Sequence, residues 1–160
     1  MAKQIPLGIS GKFALVDDED YEIFHSHYWS IDSKGYAFRK TYQRGQKREK
    51  IFLHRAIMKT PKGMETDHIN RIVLDNRKSN LRICTKSQNM MNKTKIENKT
   101  SKYKGVSWAK DRNRWRVWIM VDEKNKLLGQ FLNEEDAAMA YNNAAIKHFG
   151  EFALINQISQ

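Results

Sequence analysis

In the stretch METDHINRIVLDNRKSNLRICTKSQNMMNK, from Met64 to Lys93, carboxylate, imidazole and carboxamide side chains recur among basic ones: Asp67, His68, Asp75, Asn76, Asn80, Asn89 and Asn92. Apolar residues are sparse there and no long helical period runs through it, so a stabilising core does not account for it. The residue types suit hydrolysis of a phosphodiester. That reaction needs a group to activate water, positive charge to stabilise the leaving oxygen, and a hold on the phosphate. His68 is the right kind of base, because imidazole is partly neutral near pH 7. Asp67 can bind a hard cation such as Mg²⁺ through oxygen, and Asn89 can add a carbonyl oxygen. Neighbouring residues on a strand point to opposite sides. Asp67 and His68 can therefore serve one site only where the strand bends or the site wraps its edge. Asp75 and Asn76 read as turn-formers. His54 could approach the site but reads at least as readily as structural, and His25 and His27 read as bystanders. Arg77, Lys78, Arg82 and Lys86 are candidates, some of them for phosphate clamps and the rest for solvated surface charges.

The elements that must carry these residues are legible in outline. METDHI and LRICT are short strand candidates flanking the polar, irregular NRIVLDNRKSN. Thr85 followed three residues on by Gln88 is a capping box, which predicts a helix from Lys86. Strand, loop, strand, helix would bring Asp67 and His68 opposite Asn89. Upstream, KFALV (Lys12–Val16) reads as a strand. Asp17–Trp29 reads as a helix, with acids at its start and Tyr21, Phe24 and Tyr28 at helical spacing. GYAFRKTY and KREKIFLHRAIM flank the turn-like QRGQ as a hairpin, the second run passing into a short helix around His54–Met58. TPKG (Thr60–Gly63) breaks that run.

Downstream the pattern changes. Residues 93–102 are polar and basic and read as a linker. In RWRVWIMV (Arg114–Val121), Trp115, Val117, Ile119 and Val121 point one way as a core face; Arg114, Arg116, Trp118 and Met120 point the other. YKGVSW and KLLGQF complete a three-stranded antiparallel sheet. Asn133 caps an alanine-rich helix with Glu134, Glu135 and Asp136 in its first turn, and Gly150 ends it.

The 160 residues carry a net charge of +11, which favours a polyanionic partner, nucleic acid first. No basic amphipathic helix, long apolar run or signal segment argues for a membrane, so the expectation is a soluble protein of the cytoplasm. The single cysteine, Cys84, can form neither an internal disulfide nor a four-cysteine zinc site, and reads as a small buried residue.

DHIN…LDNR…NLRICTKSQNMMN resembles the His-Asn-His (HNH) endonuclease motif, in the subgroup common in phages and mobile introns. The resemblance covers about residues 50–93 and implies a β-β-α fold around one divalent metal, Mg²⁺ with Mn²⁺ as the alternative. It implies Asp67 and Asn89 as metal ligands, His68 as general base and Asn80 as the middle Asn that orients or supports the histidine. Asn89 stands where the motif's name has its last His. The resemblance further implies a 5′ phosphate and a 3′ hydroxyl as products.

Ser101–Asn156, marked by YKGV, the tryptophan-rich strand, LGQF, EDAAMAYNNAA and FGEFALIN, resembles the DNA-binding domain of the plant Apetala and ethylene-response factors. That likeness implies a sheet lying in the major groove. Lys104, Ser107, Lys110, Arg112, Arg114, Arg116, Trp118 and Asn125 would face DNA, with Met120 and Leu127 beside them.

The resulting expectation is an α+β chain: a nuclease domain over 1–92, a basic linker over 93–102 and a DNA-binding domain over 103–160. It would be a homing-type, site-specific endonuclease of double-stranded DNA, acting as a monomer or weak dimer in a phage-infected or host bacterial cell. One active site per chain implies nicking of one strand. The alternative is a DNA-binding regulator with an inactive nuclease motif.

Overall fold

Apolar side chains gather into two clusters, one in each of two units that divide the chain between Asn89 and Met90. The computed structural model describes residues 1–42, 48–93 and 100–158.

In the first unit, β1 (Ala2–Pro6) and β2 (Phe13–Asp17) pair antiparallel. α1 (Asp18–Phe24) follows, its first turn holding Asp18, Glu19 and Asp20, where negative charge complements the helix dipole. The helix is shorter than the sequence pattern predicts. It stops at Phe24, Tyr28 is exposed, and Trp29 is the residue that reaches the core. The indole offers a large apolar area to bury. Its Nε1 donates to the Phe24 carbonyl at 2.9 Å, which satisfies the one polar atom that burial would strand.

β3 (Ser30–Ile31), β4 (Ala37–Lys40) and β5 (Lys50–Phe52) form a second antiparallel sheet, with Phe38 opposite Phe52. The predicted QRGQ turn lies outside the described residues, but the strands on either side pair as a hairpin. β5 runs directly into α2 (Leu53–Ile57). β6 (Glu65–His68) pairs with β7 (Leu81–Cys84) in the register Glu65–Cys84, Asp67–Arg82 and His68–Leu81. Ile5, Leu7, Ala14, Val16, Trp29, Ala37, Leu53, Ile57 and Leu81 make up the core. Leu81 is the cross-strand partner of His68, so the end of β6 is seated on that core.

α3 (Lys86–Met91) starts where the capping box puts it. Gln88 Oε1 accepts from the Thr85 N–H at 2.8 Å, and Thr85 Oγ1 accepts from the Gln88 N–H at 3.2 Å. Strand, loop, strand and helix thus follow in the expected order. Most of the expected linker, residues 94–99, lies outside the described residues.

The second unit is a three-stranded antiparallel sheet in the order β10-β9-β8, with β8 (Val106–Ala109), β9 (Arg114–Val121) and β10 (Lys124–Phe131), and one long helix, α4 (Glu134–Phe149). The alternation in β9 holds: Val117, Ile119 and Val121 are buried while Trp118 and Met120 are exposed. Trp115 is only half-buried and meets Trp108 edge-on at 4.9 Å. Ala137, Ala138, Tyr141 and Ala145 are buried against the sheet. Asn133 occupies the position before α4, but its side chain does not cap the backbone; it donates to Asp136 Oδ2 at 3.3 Å. Gly150 ends the helix with φ of 52°, a left-handed value that glycine adopts without penalty. The whole is α+β, built of small antiparallel sheets and few helices.

Candidate active site

The strand β6 alternates, so Glu65 and Asp67 lie on one face and Thr66 and His68 on the other. On the first face, Asp67 is buried and its Oδ2 accepts from Arg82 Nε at 3.0 Å and Nη2 at 2.8 Å. Arg82 sits directly across the β6–β7 pair from it. Glu65 Oε2 accepts a hydrogen bond from the Asn89 Nδ2, so the first turn of α3 is held against the same face. Two carboxylates and a carboxamide therefore gather here. Hard oxygen donors of this kind fit a divalent cation such as Mg²⁺. Among the described residues there is no group of three or more His, Cys, Asp or Glu side chains placed to hold a metal.

On the other face His68 is buried, 4% exposed, and its ring lies among other rings. His54 stands 5.1 Å away edge-on and Tyr36 5.9 Å away, with Phe52 packing on His54 and Tyr36. Burial lowers the affinity of His68 for a proton; the bond to Asn76 and the nearby Asp67 and Asp75 carboxylates work against that shift. The same burial, with His68 next in effect, pushes His54 down to about 3. Both rings are therefore neutral near pH 7. Buried imidazole avoids charge because the low-dielectric surroundings penalise it.

The polar loop between β6 and β7 closes over the end of β6. Asn80 does this work. Its Oδ1 accepts from the Asn70 N–H at 2.9 Å, and its Nδ2 donates to the Asp75 carbonyl at 2.8 Å. Asn70 Nδ2 also donates to Asp75 Oδ2 at 2.9 Å. Arg77 grips the same carboxylate with two bonds of 2.8 Å and holds it below the usual carboxylate range. The loop is pinned to β2: Leu15 N–H donates to the Leu74 carbonyl and Asn76 N–H to the Leu15 carbonyl, both at 2.8 Å. This anchoring brings the Asn76 side chain to His68, Oδ1 to Nε2 at 3.1 Å.

Of the expected site residues, Asp67 and His68 lie side by side on β6, facing opposite ways, and Asn89 is tied in through Glu65. The carboxamide shown against the His68 ring is that of Asn76, whereas both polar groups of Asn80 engage loop backbone. Asn76, Glu65 and Tyr36 are contributors that the sequence does not single out, while His54, which could approach the site, does lie beside His68. For Asn76 only its fixed place in the LDNR run could have pointed to it. Of the candidate clamps, Arg82, Arg77 and Lys78 are paired with Asp67, Asp75 and Glu19, while Lys86 is exposed.

In the second unit, Arg116 stands between Ser107 of β8 and Gln130 of β10, Trp118 opposite Leu127, and Met120 opposite Asn125. Trp118, Met120, Leu127 and Asn125 are exposed and Arg114 is half-buried. Lys110 and Arg112 are exposed in the β8–β9 turn. Asp111 also lies in that turn and pairs with Arg116 at 2.7 Å. Lys104 is differently placed: its Nζ donates to the carbonyls of Met91 and Lys93 at 2.6 and 2.8 Å.

Asp67 and His68 end β6, a closed polar loop leads to β7, and α3 follows with Asn89, in the β-β-α order that the resemblance implies. The comparisons agree. A family model described as HNH endonuclease matches residues 59–91. An uncharacterized HNH endonuclease of Acanthamoeba polyphaga mimivirus is 32% identical over 150 residues, covering 92% of this chain and 76% of that protein. Protein 3.8 of Escherichia phage T7 is 36% identical over 64 residues, 40% of this chain and 53% of its own length. The chain belongs to the HNH endonuclease family, and it is a DNA endonuclease, a hydrolase of phosphodiester bonds.

Proposed function

We propose that this chain is a metal-dependent, site-directed, homing-type endonuclease of double-stranded DNA, with His68 as its general base. The observation that carries the reading is the neutral, ring-packed His68 adjoining Asp67 at the end of β6, with Asn89 drawn to the same strand. Asp67 and Asn89 would hold a divalent cation, Mg²⁺ first and Mn²⁺ second. When bound there it would supply positive charge to the developing phosphorus centre and the departing oxygen. His68 takes a proton from water, the water oxygen attacks phosphorus in line, and the bond to the 3′ oxygen breaks. The products are a 5′ phosphate and a 3′ hydroxyl. Because Asp67 and His68 face opposite sides of β6, the phosphate would lie across the end of the strand. Asn80 supports the base through the loop it closes.

The second unit acts as the reader, in the manner of the Apetala and ethylene-response-factor domains. Its open sheet face offers Arg114, Arg116, Trp118 and Asn125, with Ser107, Lys110 and Arg112 along the β8–β9 side. Arginine can make two hydrogen bonds to guanine in the major groove. Arg77, Arg82, Lys86 and Lys104 belong to the proposed basic surround of the DNA. In the case of Arg82, Arg77 and Lys104 this acts through the groups they hold in place. One site per chain nicks one strand, in the cytoplasm of a phage-infected or host cell, and no helix among the described residues is long and apolar enough to cross a membrane.

The test is cleavage of a plasmid library carrying random inserts, with Mg²⁺ and with EDTA. Metal-dependent nicking at a narrow set of sites is expected. Cutting that persists in EDTA would remove the metal from the reading, and cutting spread evenly over the library would remove the site-directed part.

A further inference from the structure

In the second half of β9 the residues that turn away from the core are apolar. Trp118 and Met120, with Leu127 across the strand pair, are 40%, 59% and 47% exposed, while Val117, Ile119 and Val121 are buried on the other side. Trp118 lies opposite Leu127 and Met120 opposite Asn125, so the four side chains form one patch on the open face of the sheet. We propose that this patch reads A·T base pairs in the major groove, Trp118, Met120 and Leu127 by contact with thymine methyl groups and Asn125 by hydrogen bonds to adenine. The inference deepens, and rests on, the reading of the second unit as the DNA reader.

The chemistry of the groove selects this ligand. The thymine C5-methyl is the one apolar group that unmodified bases present there, and a carboxamide can make two hydrogen bonds to adenine, at N6 and N7. Guanine offers two acceptors, N7 and O6. Apolar side chains laid over them would leave both without partners. Side chains on one face of a strand recur every ~6.8 Å, about twice the ~3.4 Å rise of a base pair. The patch therefore spans two to three adjacent pairs. A two-stranded ribbon fits the major groove, and β9 with β10 is such a ribbon. The neighbouring row across the sheet, Ser107, Arg116 and Gln130, is polar throughout. The A·T patch is thus confined to one end of the face, beside Asn125.

Charge marks the occupant as nucleic acid. Residues 101–131, which hold the sheet, carry eight basic and three acidic side chains; residues 132–150, which hold the helix packed on its other side, carry one basic and three acidic. A polyanion is drawn to the sheet side by that asymmetry. A stable protein partner needs about 20–30 residues a side, and three apolar side chains fall far short of that.

The test uses the full chain carrying His68→Ala, in EDTA, so that duplexes are bound and not cut. Selection from a random pool of short duplexes should enrich two or three A·T pairs in a row. Replacing dT by dU in those pairs removes only the methyl groups. Affinity should fall about fourfold for each methyl contacted, the value of one buried CH₂ group. Adding Met120→Ala and Leu127→Ala, both at exposed positions outside the core, should weaken binding to the dT duplex and leave little difference between dT and dU. Asn125→Ala should relax the preference at one position. Equal affinity of the His68→Ala chain for dT and dU duplexes, or a dU penalty that the added pair of substitutions leaves intact, would overturn the proposal and leave the reader role standing. Substitutions that leave DNA binding unchanged but abolish self-association in sedimentation would assign the patch to contact between copies, and would overturn it as well. Selection that enriches no sequence would overturn the reader role, and this inference with it.

Discussion

His54 shows how burial sets the chemistry of a side chain. Its ring packs among Tyr36, Phe52 and His68, its Nδ1 has no hydrogen-bond partner among the described residues, and burial pushes its pKa down to about 3. In the unfolded chain the same group titrates near 6.5. Between those values the unfolded state binds more protons than the folded one, so stability falls as pH drops from 6.5 toward 3. His54→Phe, which keeps the ring packing, should flatten the decline in melting temperature over that window; thermal melts at several pH values measure it. Asn80 lends itself to a second test. Asn80→Ala leaves the Asn70 N–H and the Asp75 carbonyl without their partner, and at the buried Asp75 carbonyl such a loss costs about 1–3 kcal/mol. Urea unfolding should show that loss. The contribution of Asn76 was not legible in the sequence, and that of His54 only as one of two alternatives. Their partners are placed by contacts between distant segments, above all the pinning of the 74–76 stretch to β2, and an Asn in a polar loop carries no mark that separates a turn-former from a residue aimed at a histidine.

At the scale of elements, local signals in the sequence match the fold where neighbouring residues alone decide it. The capping box starts α3, and the alternation of Val117–Val121 lays out the two faces of β9. The rule failed where burial competed with period. Tyr28 continued the helical spacing of Tyr21 and Phe24, yet the chain leaves the helix to bury Trp29, whose area is larger and whose N–H finds a carbonyl. In the second unit Gly105 is the tightest point. It has a φ of +77°, and an added Cβ would stand 2.1 Å from the Tyr141 ring and 2.7 Å from the Trp118 carbonyl. Gly105→Ala should destabilise the protein by about 2–4 kcal/mol, through both overpacking and backbone strain, and a fall in the denaturation midpoint checks it. On the open face, Arg116→Ala should cost about 1–3 kcal/mol of discrimination at a guanine. The sign of that effect separates reading from mere attraction: a contact to phosphate alone would weaken all sequences equally.

The whole molecule carries +11. Affinity for DNA should fall linearly with salt on logarithmic axes, with a slope near 0.9 per phosphate contacted. A binding titration from low to physiological salt would show it; a flat response would deny the charge excess its part. The basic excess and the two resemblances in the sequence motivate the proposed division between cutting and reading, while the opposed faces of Asp67 and His68 on β6 are seen only in the fold. The proposed cleavage depends on His68. Single-turnover cleavage of a supercoiled plasmid bearing the preferred site, in Mg²⁺, should convert it to open circle with the wild-type chain. His68→Ala should lower the rate by at least about 10²-fold while binding the same DNA with unchanged affinity. A His68→Ala protein that nicks at the wild-type rate would contradict the account.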